Sequence, residues 1–196
     1  MKNQQYEIHP FNEAFYIESL LNKTRAIMQN VEALNDIWKH GNHDCKNDDV
    51  ILDMFQNIIV NTAGISRFFW PSNNKRYHKV RAENHKIRAE KLREVYCVSD
   101  SGVLRNRDMR NQIEHFDEKL DDFLNDFKSG SVMSKYVGPI TNINDNSIFF
   151  RAYFYDIQVF KILNVEYKIK PIIDEIRRIH EILLVQKENG RQFIIK

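Results

Sequence analysis

Between Phe11 and Trp38 the side chains Phe11, Phe15, Leu20, Leu21, Ile27, Met28, Val31, Leu34 and Trp38 recur at helical spacing, in a chain poor in helix breakers. Only six glycines and four prolines occur among 196 residues. Apolar residues at three- and four-residue steps line one side of a 3.6-residue helix, and few breakers let such a helix run long. The first helix is therefore expected to end near Gly41. A second follows with Asn47 or Asp48 as cap, its face formed by Ile51, Met54, Phe55, Ile58, Thr62, Ile65 and Phe69, and Pro71 stops it.

Residues 77–96 read as a weakly apolar helix, and Ser99-Asp100-Ser101-Gly102 as a break. A fourth helix is expected from Val103 to Phe127 with the stripe Ile113, Phe116, Leu120, Phe123 and Phe127. Residues 128–146 have loop composition. Beyond them, Ile148–Tyr155 and Gln158–Leu163 are rich in aromatic and β-branched residues and predict a β-hairpin turning near Asp156-Ile157. Pro171 suits the first turn of a closing helix with the stripe Ile172, Ile176, Ile179 and Leu183. The expected fold is mainly α, an antiparallel helical bundle of about five helices with a small β-hairpin before the C-terminal helix. It forms one domain over 1–196, with a helical core at 1–127 and the hairpin plus closing helix at 147–187.

An apolar fraction of 42% and this length suffice for a real core. The net charge of +2 gives no global field towards nucleic acid, so any such attraction must be local. Cys45 and Cys97 are far apart and form no CxxC pair, as expected of reduced thiols. No apolar run approaches a membrane span and the N-terminus lacks a signal core, so a cytoplasmic protein with no membrane partner is expected.

Inside the fourth helix lies Arg110-Asn111-Gln112-Ile113-Glu114-His115. On a wheel at 100° per residue, His115 sits about 120° from the centre of the apolar stripe and Arg110 about 100° away on the other side. Asn111 and His115 are one turn apart and share a face. A guanidinium, a carboxamide and an imidazole on a polar face can hold a phosphodiester and move its protons without a metal. The alternative is a solvated face with an Arg110–Glu114 pair, which contributes only about 0.2–0.5 kcal/mol.

The string Arg110–Asp117, with a polar residue after the arginine and histidine after four intervening residues, resembles the signature of the HEPN superfamily of small helical ribonucleases. The segment Ser66–Pro71 and the hairpin plus helix after residue 147 are similar to a branch linked to abortive phage infection. The resemblance implies a metal-independent endoribonuclease, a toxin or defence effector, with Arg110, Asn111 and His115 as catalytic residues and no cofactor. It implies RNA, a second copy of the chain and an antitoxin or regulatory protein as partners. One arginine and one histidine are too few for acid–base cleavage by a 2′-hydroxyl, whereas a two-fold dimer supplies two of each. His115 would be the general acid/base, Arg110 would stabilise the phosphoryl oxygens, and Asn111 would orient the phosphate or the imidazole, giving a 2′,3′-cyclic phosphate. A tyrosine that one family variant carries two residues after the histidine is replaced here by Asp117, which argues against that variant's regulation by nucleotide modification. The rival class is a non-catalytic HEPN-like helical RNA-binding or dimeric assembly module.

Upstream, Lys75–Arg93 is strongly basic, with His78 and His85 able to add charge. Beside the motif, Lys79, Arg81, Lys86 and Arg88, extended by Arg105 and Arg107, form a track for an RNA backbone; alone, they read as a solvated face. Glu114, Asp117, Glu118, Asp121 and Asp122 would repel phosphate unless turned away or neutralised. The His40–Cys45 cluster lacks a convincing fourth ligand and reads better as a helix end than as a zinc site. The exposed rings of a hairpin can stack bases, but the aromatics of this one are assigned to core or dimer packing, and His180 is read as a surface or partly buried residue with no special task.

Overall fold

The computed structural model describes residues 7–41, 47–71, 79–126, 129–144 and 146–194, and leaves out the side chains of Arg107 and Arg110. Among the described residues six helices, α1 Pro10–Lys39, α2 Asp48–Phe69, α3 Lys79–Val95, α4 Arg107–Glu114, α5 Phe116–Asp126 and α6 Ile169–Glu188, dominate the architecture. A small sheet of four strands precedes α6: β1 Ser131–Gly138, β2 Ser147–Phe154, β3 Val159–Ile162 and β4 Val165–Lys168.

α1 packs against both α2 and α6. Ile17, Leu20, Leu21, Thr24, Ile27, Val31 and Leu34 form its buried face. Phe11 and Phe15 do not join this face, being 89% and 73% exposed. On a wheel they lie roughly opposite the Ile17–Leu34 stripe, so apolar spacing alone had overstated its length. The helix closes at His40, whose N–H donates to the Asp36 carbonyl at 3.1 Å, and Gly41 follows at φ +65, a left-handed residue as helix ends favour. Of the His40–Cys45 cluster, residues 42–46 lie outside the described residues, as does Cys45; Cys97 is an exposed free thiol.

α2 buries ten residues between Ile51 and Phe69 and touches α1, α3, α4 and the sheet. Phe55 carries the sheet contact: its ring stacks on Tyr153 at 4.0 Å and on Phe160 at 5.7 Å, and Phe160 in turn stacks on Tyr167 of β4 at 6.3 Å. Two ion pairs border this aromatic seam, Lys135 to Asp49 at 2.6 Å and Arg151 to Asp53. Each joins a charge on the sheet to one on α2.

The expected strand pair is present as β2 and β3, antiparallel with Phe154 opposite Val159, but it is the middle of a larger sheet. The expected second strand stops at Ile162, and the chain folds back at Leu163 (φ +52) to give antiparallel β4. No glycine or proline marks that turn. Burial of Leu163 offsets the cost of its left-handed backbone. The expectation of a loop over residues 128–146 is corrected too: Ser131–Gly138 pairs in parallel with β2, Ser131 beside Ser147. Its side chains do not alternate cleanly in burial, so the strand owes its existence to an available β2 edge and has little signature of its own.

α6 buries Ile169, Ile172, Ile176, Ile179, Leu183 and Gln186. His180 reaches α1, its Nδ1 lying 2.8 Å from the Thr24 hydroxyl, which itself donates to the Leu21 carbonyl at 3.1 Å. Burial holds the His180 pKa below its usual 6.5, helped by Arg25 and opposed by Glu181 and Glu32. A depressed imidazole pKa stabilises the fold above the unfolded value and loses that contribution as pH falls through the folded value. The melting temperature should therefore decline from about pH 6.5 downwards. His180→Gln should flatten part of that decline in differential scanning fluorimetry between pH 7.5 and 5.5; an unchanged profile would contradict the assignment.

Candidate functional site

The expected single helix over Val103–Phe127 is three pieces. Val103–Arg105 is a turn of 3-10 helix, α4 begins after Asn106, and α5 is separated from α4 at His115. Asn106 is the N-cap, its Oδ1 accepting from the Asp108 N–H at 2.8 Å and the Met109 N–H at 3.3 Å. Asn followed by an acidic first-turn residue is a start signal that the sequence carried, although the capping run at residues 99–102 drew the helix start too early.

His115 closes α4 at φ −124 and ψ 40. The hydrogen-bond ladder crosses this residue, its N–H donating to Asn111 O at 3.0 Å and its carbonyl accepting from Lys119 at 2.9 Å. The backbone therefore bends there without fraying. Phe116, next in the chain, meets Phe150 of β2 edge-on at 5.9 Å. Of the expected stripe, Ile113, Phe116, Leu120 and Phe123 are partly buried and Phe127 lies outside the described residues, while Met109 and Gln112 of α4 are buried.

The His115 side chain is 52% exposed, and its Nδ1 lies 3.6 Å from a Glu118 oxygen. Asn111 is exposed and makes no side-chain hydrogen bond among the described residues. Arg110 occupies the fourth position of α4; its side chain, with that of Arg107, is outside the description. Glu114 is not left to pair within its own helix: Arg67 of α2 takes it, Nε to Oε1 at 2.6 Å. One carboxylate next to the imidazole is thereby neutralised; Asp122 pairs with Lys119 at 3.2 Å, and Asp117, Glu118 and Asp121 stay exposed. Gln112 is 3% exposed, and its Nε2 has no partner among the described residues.

Arg67 also links the motif helix to the basic one. Its carbonyl accepts from Arg88 of α3 at 3.4 Å, and the Arg88 guanidinium lies 5.8 Å from the Phe68 ring centre. Arg93 donates to the Phe69 carbonyl at 2.5 Å and lies 5.9 Å from the Trp70 ring centre. Two arginines of the basic run thus serve the open carbonyls at the C-terminus of α2, where positive charge is favoured. Lys79, Arg81 and Lys86 are exposed on α3. Arg105 is exposed and donates to the Asp100 carbonyl at 2.9 Å. His85 adds little charge near neutral pH, because burial and the neighbouring Arg88 and Arg81 hold its pKa down. Of the candidate track, Arg88 has a structural task, and α3 and α4 meet at the same end of α2.

Beside the α4 N-terminus opens a cavity of about 570 Å³, lined in part by Arg105, Asn106, Met109, Tyr167 and Lys168. Its two carboxylates are compensated, Asp100 by Trp70 Nε1 at 2.9 Å and Arg93 at 3.8 Å, Glu166 by Lys161 at 3.2 Å. Against protein-family models, curated proteins and solved structures, the chain finds no match.

The residues that sequence reasoning passed over are those that aim α4. Ser66, fully buried on α2, donates to the Leu104 carbonyl at 2.6 Å and so fixes the turn that leads into Asn106. Only the tertiary contact makes this serine special; nothing in its sequence neighbourhood does. Ser66→Ala should destabilise by about 1–3 kcal/mol, since a buried carbonyl is left unpaired, and Asn106→Ala by about 1 kcal/mol. Urea titration reads both; a loss below a few tenths in Ser66→Ala would refute the anchoring role.

Proposed function

We propose that the chain is a metal-independent endoribonuclease of the HEPN type, an antiparallel helical bundle acting as a cytoplasmic dimer in toxin or phage-defence biology. The observation that carries the reading is the half-exposed imidazole of His115 at the end of α4, one turn from the exposed carboxamide of Asn111, which has no partner among the described residues. The neutralisation of Glu114 by Arg67 and the approach of the basic helix α3 to the same end of α2 support it.

In this reading two copies meet across a dyad through α4. His115 of one copy removes the proton of the RNA 2′-hydroxyl, and that oxygen attacks the adjacent phosphorus. The second copy's His115 delivers a proton to the departing 5′-oxygen. The paired Arg110 guanidinia take up the added negative charge of the phosphorane, where preorganised donors act most strongly. Products are a 2′,3′-cyclic phosphate and a 5′-hydroxyl. Asn111 orients the phosphate or the ring. Lys79, Arg81, Lys86, Arg105 and Arg107 hold the strand through its backbone, with no sequence preference of their own.

A second reading, a non-catalytic helical RNA-binding or dimeric assembly module, is favoured in its assembly form by one observation. His115 faces Glu118, and the exposed carboxylates of α5 repel a polyanion.

Cleavage of a mixed RNA in EDTA distinguishes them. His115→Ala and Arg110→Ala should each lose about 10²–10⁴-fold in rate. Undiminished cleavage in either sinks the catalytic assignment, and a dimer without cleavage by the wild type selects the second reading. Separately, Lys79→Ala, Arg81→Ala and Lys86→Ala should weaken RNA binding, each reducing the log–log salt slope by about one. An unchanged slope in the triple variant would remove the track.

A further inference from the structure

Between the C-terminal half of α1, the first turns of α6 and the β2–β3 turn lies a second cavity of about 510 Å³, sharing no residue with the motif. Its volume is that of a small-molecule site. The apolar side is aromatic: Trp38 meets Tyr153 edge-on at 5.8 Å, and Phe55 stacks behind Tyr153. Tyr153 is only 8% exposed, yet no described residue accepts its hydroxyl. A hydroxyl without a described protein partner on a cavity wall is open to a ligand or a water. Burial lifts its pKa to about 12, so it remains a donor.

The opposite rim is cationic. Lys170 and Arg177, one on each side of Asp174 along α6, lie 4.0 and 3.4 Å from its carboxylate. Two cations against one anion leave positive charge at the mouth. Asn35 and Gln158 add carboxamides with no partner among the described residues. Gln158 holds φ +53, a left-handed conformation that a glycine would adopt without strain. A side chain kept at a strained turn on a cavity rim is a functional signal.

We infer that this cavity binds a nucleotide unit, its base against Trp38 and Tyr153 and within reach of the Asn35 and Gln158 amides, its phosphate on Lys170 and Arg177. A planar heteroaromatic ring carrying an anion fits both walls at once; a purely apolar ligand would leave the rim unmatched, and a bare phosphate the aromatic side. The inference does not rest on ribonuclease activity. The nucleotide can be a free mononucleotide or the end of an RNA strand.

Trp38 and Trp70 are the only tryptophans, so Trp70→Phe makes fluorescence a report on Trp38 alone. In that background, adenosine monophosphate and an adenosine pentanucleotide are titrated, with ribose 5-phosphate as the ligand lacking a base. Expected is quenching by a nucleotide ligand, a Kd at least tenfold weaker in Lys170→Ala/Arg177→Ala, a severalfold loss in Tyr153→Phe, and tighter binding in Asp174→Asn. Monophosphate binding as tight as the pentanucleotide assigns a free nucleotide; pentanucleotide binding alone assigns an RNA end. No binding of either at millimolar concentration, undiminished binding in the double variant, or ribose 5-phosphate binding as tightly as the nucleotides overturns the proposal. Circular dichroism of each variant confirms that the loss is not one of folding.

Discussion

Burial of α2 on more than one side is the constraint on which the rest of the structure depends. Ile51, Phe55, Ile58, Thr62, Ile65 and Phe69 run down one line, while Leu52, Ile59, Ala63 and Ser66 widen the covered surface. A helix apolar over so broad an arc cannot be satisfied by one neighbour. α1, the sheet, α3 and α4 are recruited to it, and each is oriented by what α2 offers there. Phe55 offers an aromatic surface to the sheet, Ser66 a hydroxyl to the turn before α4, and the last turn a set of open carbonyls to the arginines of α3.

The last of these explains why the basic run cannot be read as one functional unit. A helix C-terminus carries unsatisfied carbonyls and a partial negative charge, and buried in a fold it demands donors. Arg88 and Arg93 meet that demand, stacking over Phe68 and Trp70 as they do so. Their donors are turned onto the fold, whereas Lys79 and Lys86 project to solvent, Lys86 4.0 Å from Glu90. Fold and surface field thus draw on the same segment in alternate turns. Glu114 is shared in the same way: its pairing with Arg67 ties α4 to α2 and removes a negative charge from beside His115.

Much of the helical scaffold was legible because α1, α2 and α6 place apolar residues at a period that no other structure accommodates. Even there, Phe11 and Phe15 show that spacing does not reveal which face has a neighbour. The β2–β3 pair was legible from its aromatic and β-branched content. β1 was not, since Ser131–Gly138 becomes a strand only by pairing with β2, and pairing is a property of the partner edge. The bend at His115 was invisible for a related reason: no glycine or proline lies there, and the hydrogen bonds continue across it. In the candidate site, the polar aspect of Asn111 and His115 could be read from the helical wheel. The roles of Arg67, Ser66 and Gln112 could not, because each is defined by a contact with a distant segment or by burial.

The sequence by itself determined where α1, α2, α3 and α6 lie, that the chain is mainly α with a strand pair ahead of its last helix, and that an arginine, an asparagine and a histidine share one short polar stretch. These follow from periodicity and local chemistry, which act over a few residues. Tertiary structure alone decided that α4 ends at the histidine, which of the neighbouring charges are neutralised, and that Trp38, Tyr153 and Arg177 surround one cavity. Those outcomes depend on side chains far apart along the chain competing for the same buried space and the same unpaired polar groups. No local pattern encodes that competition.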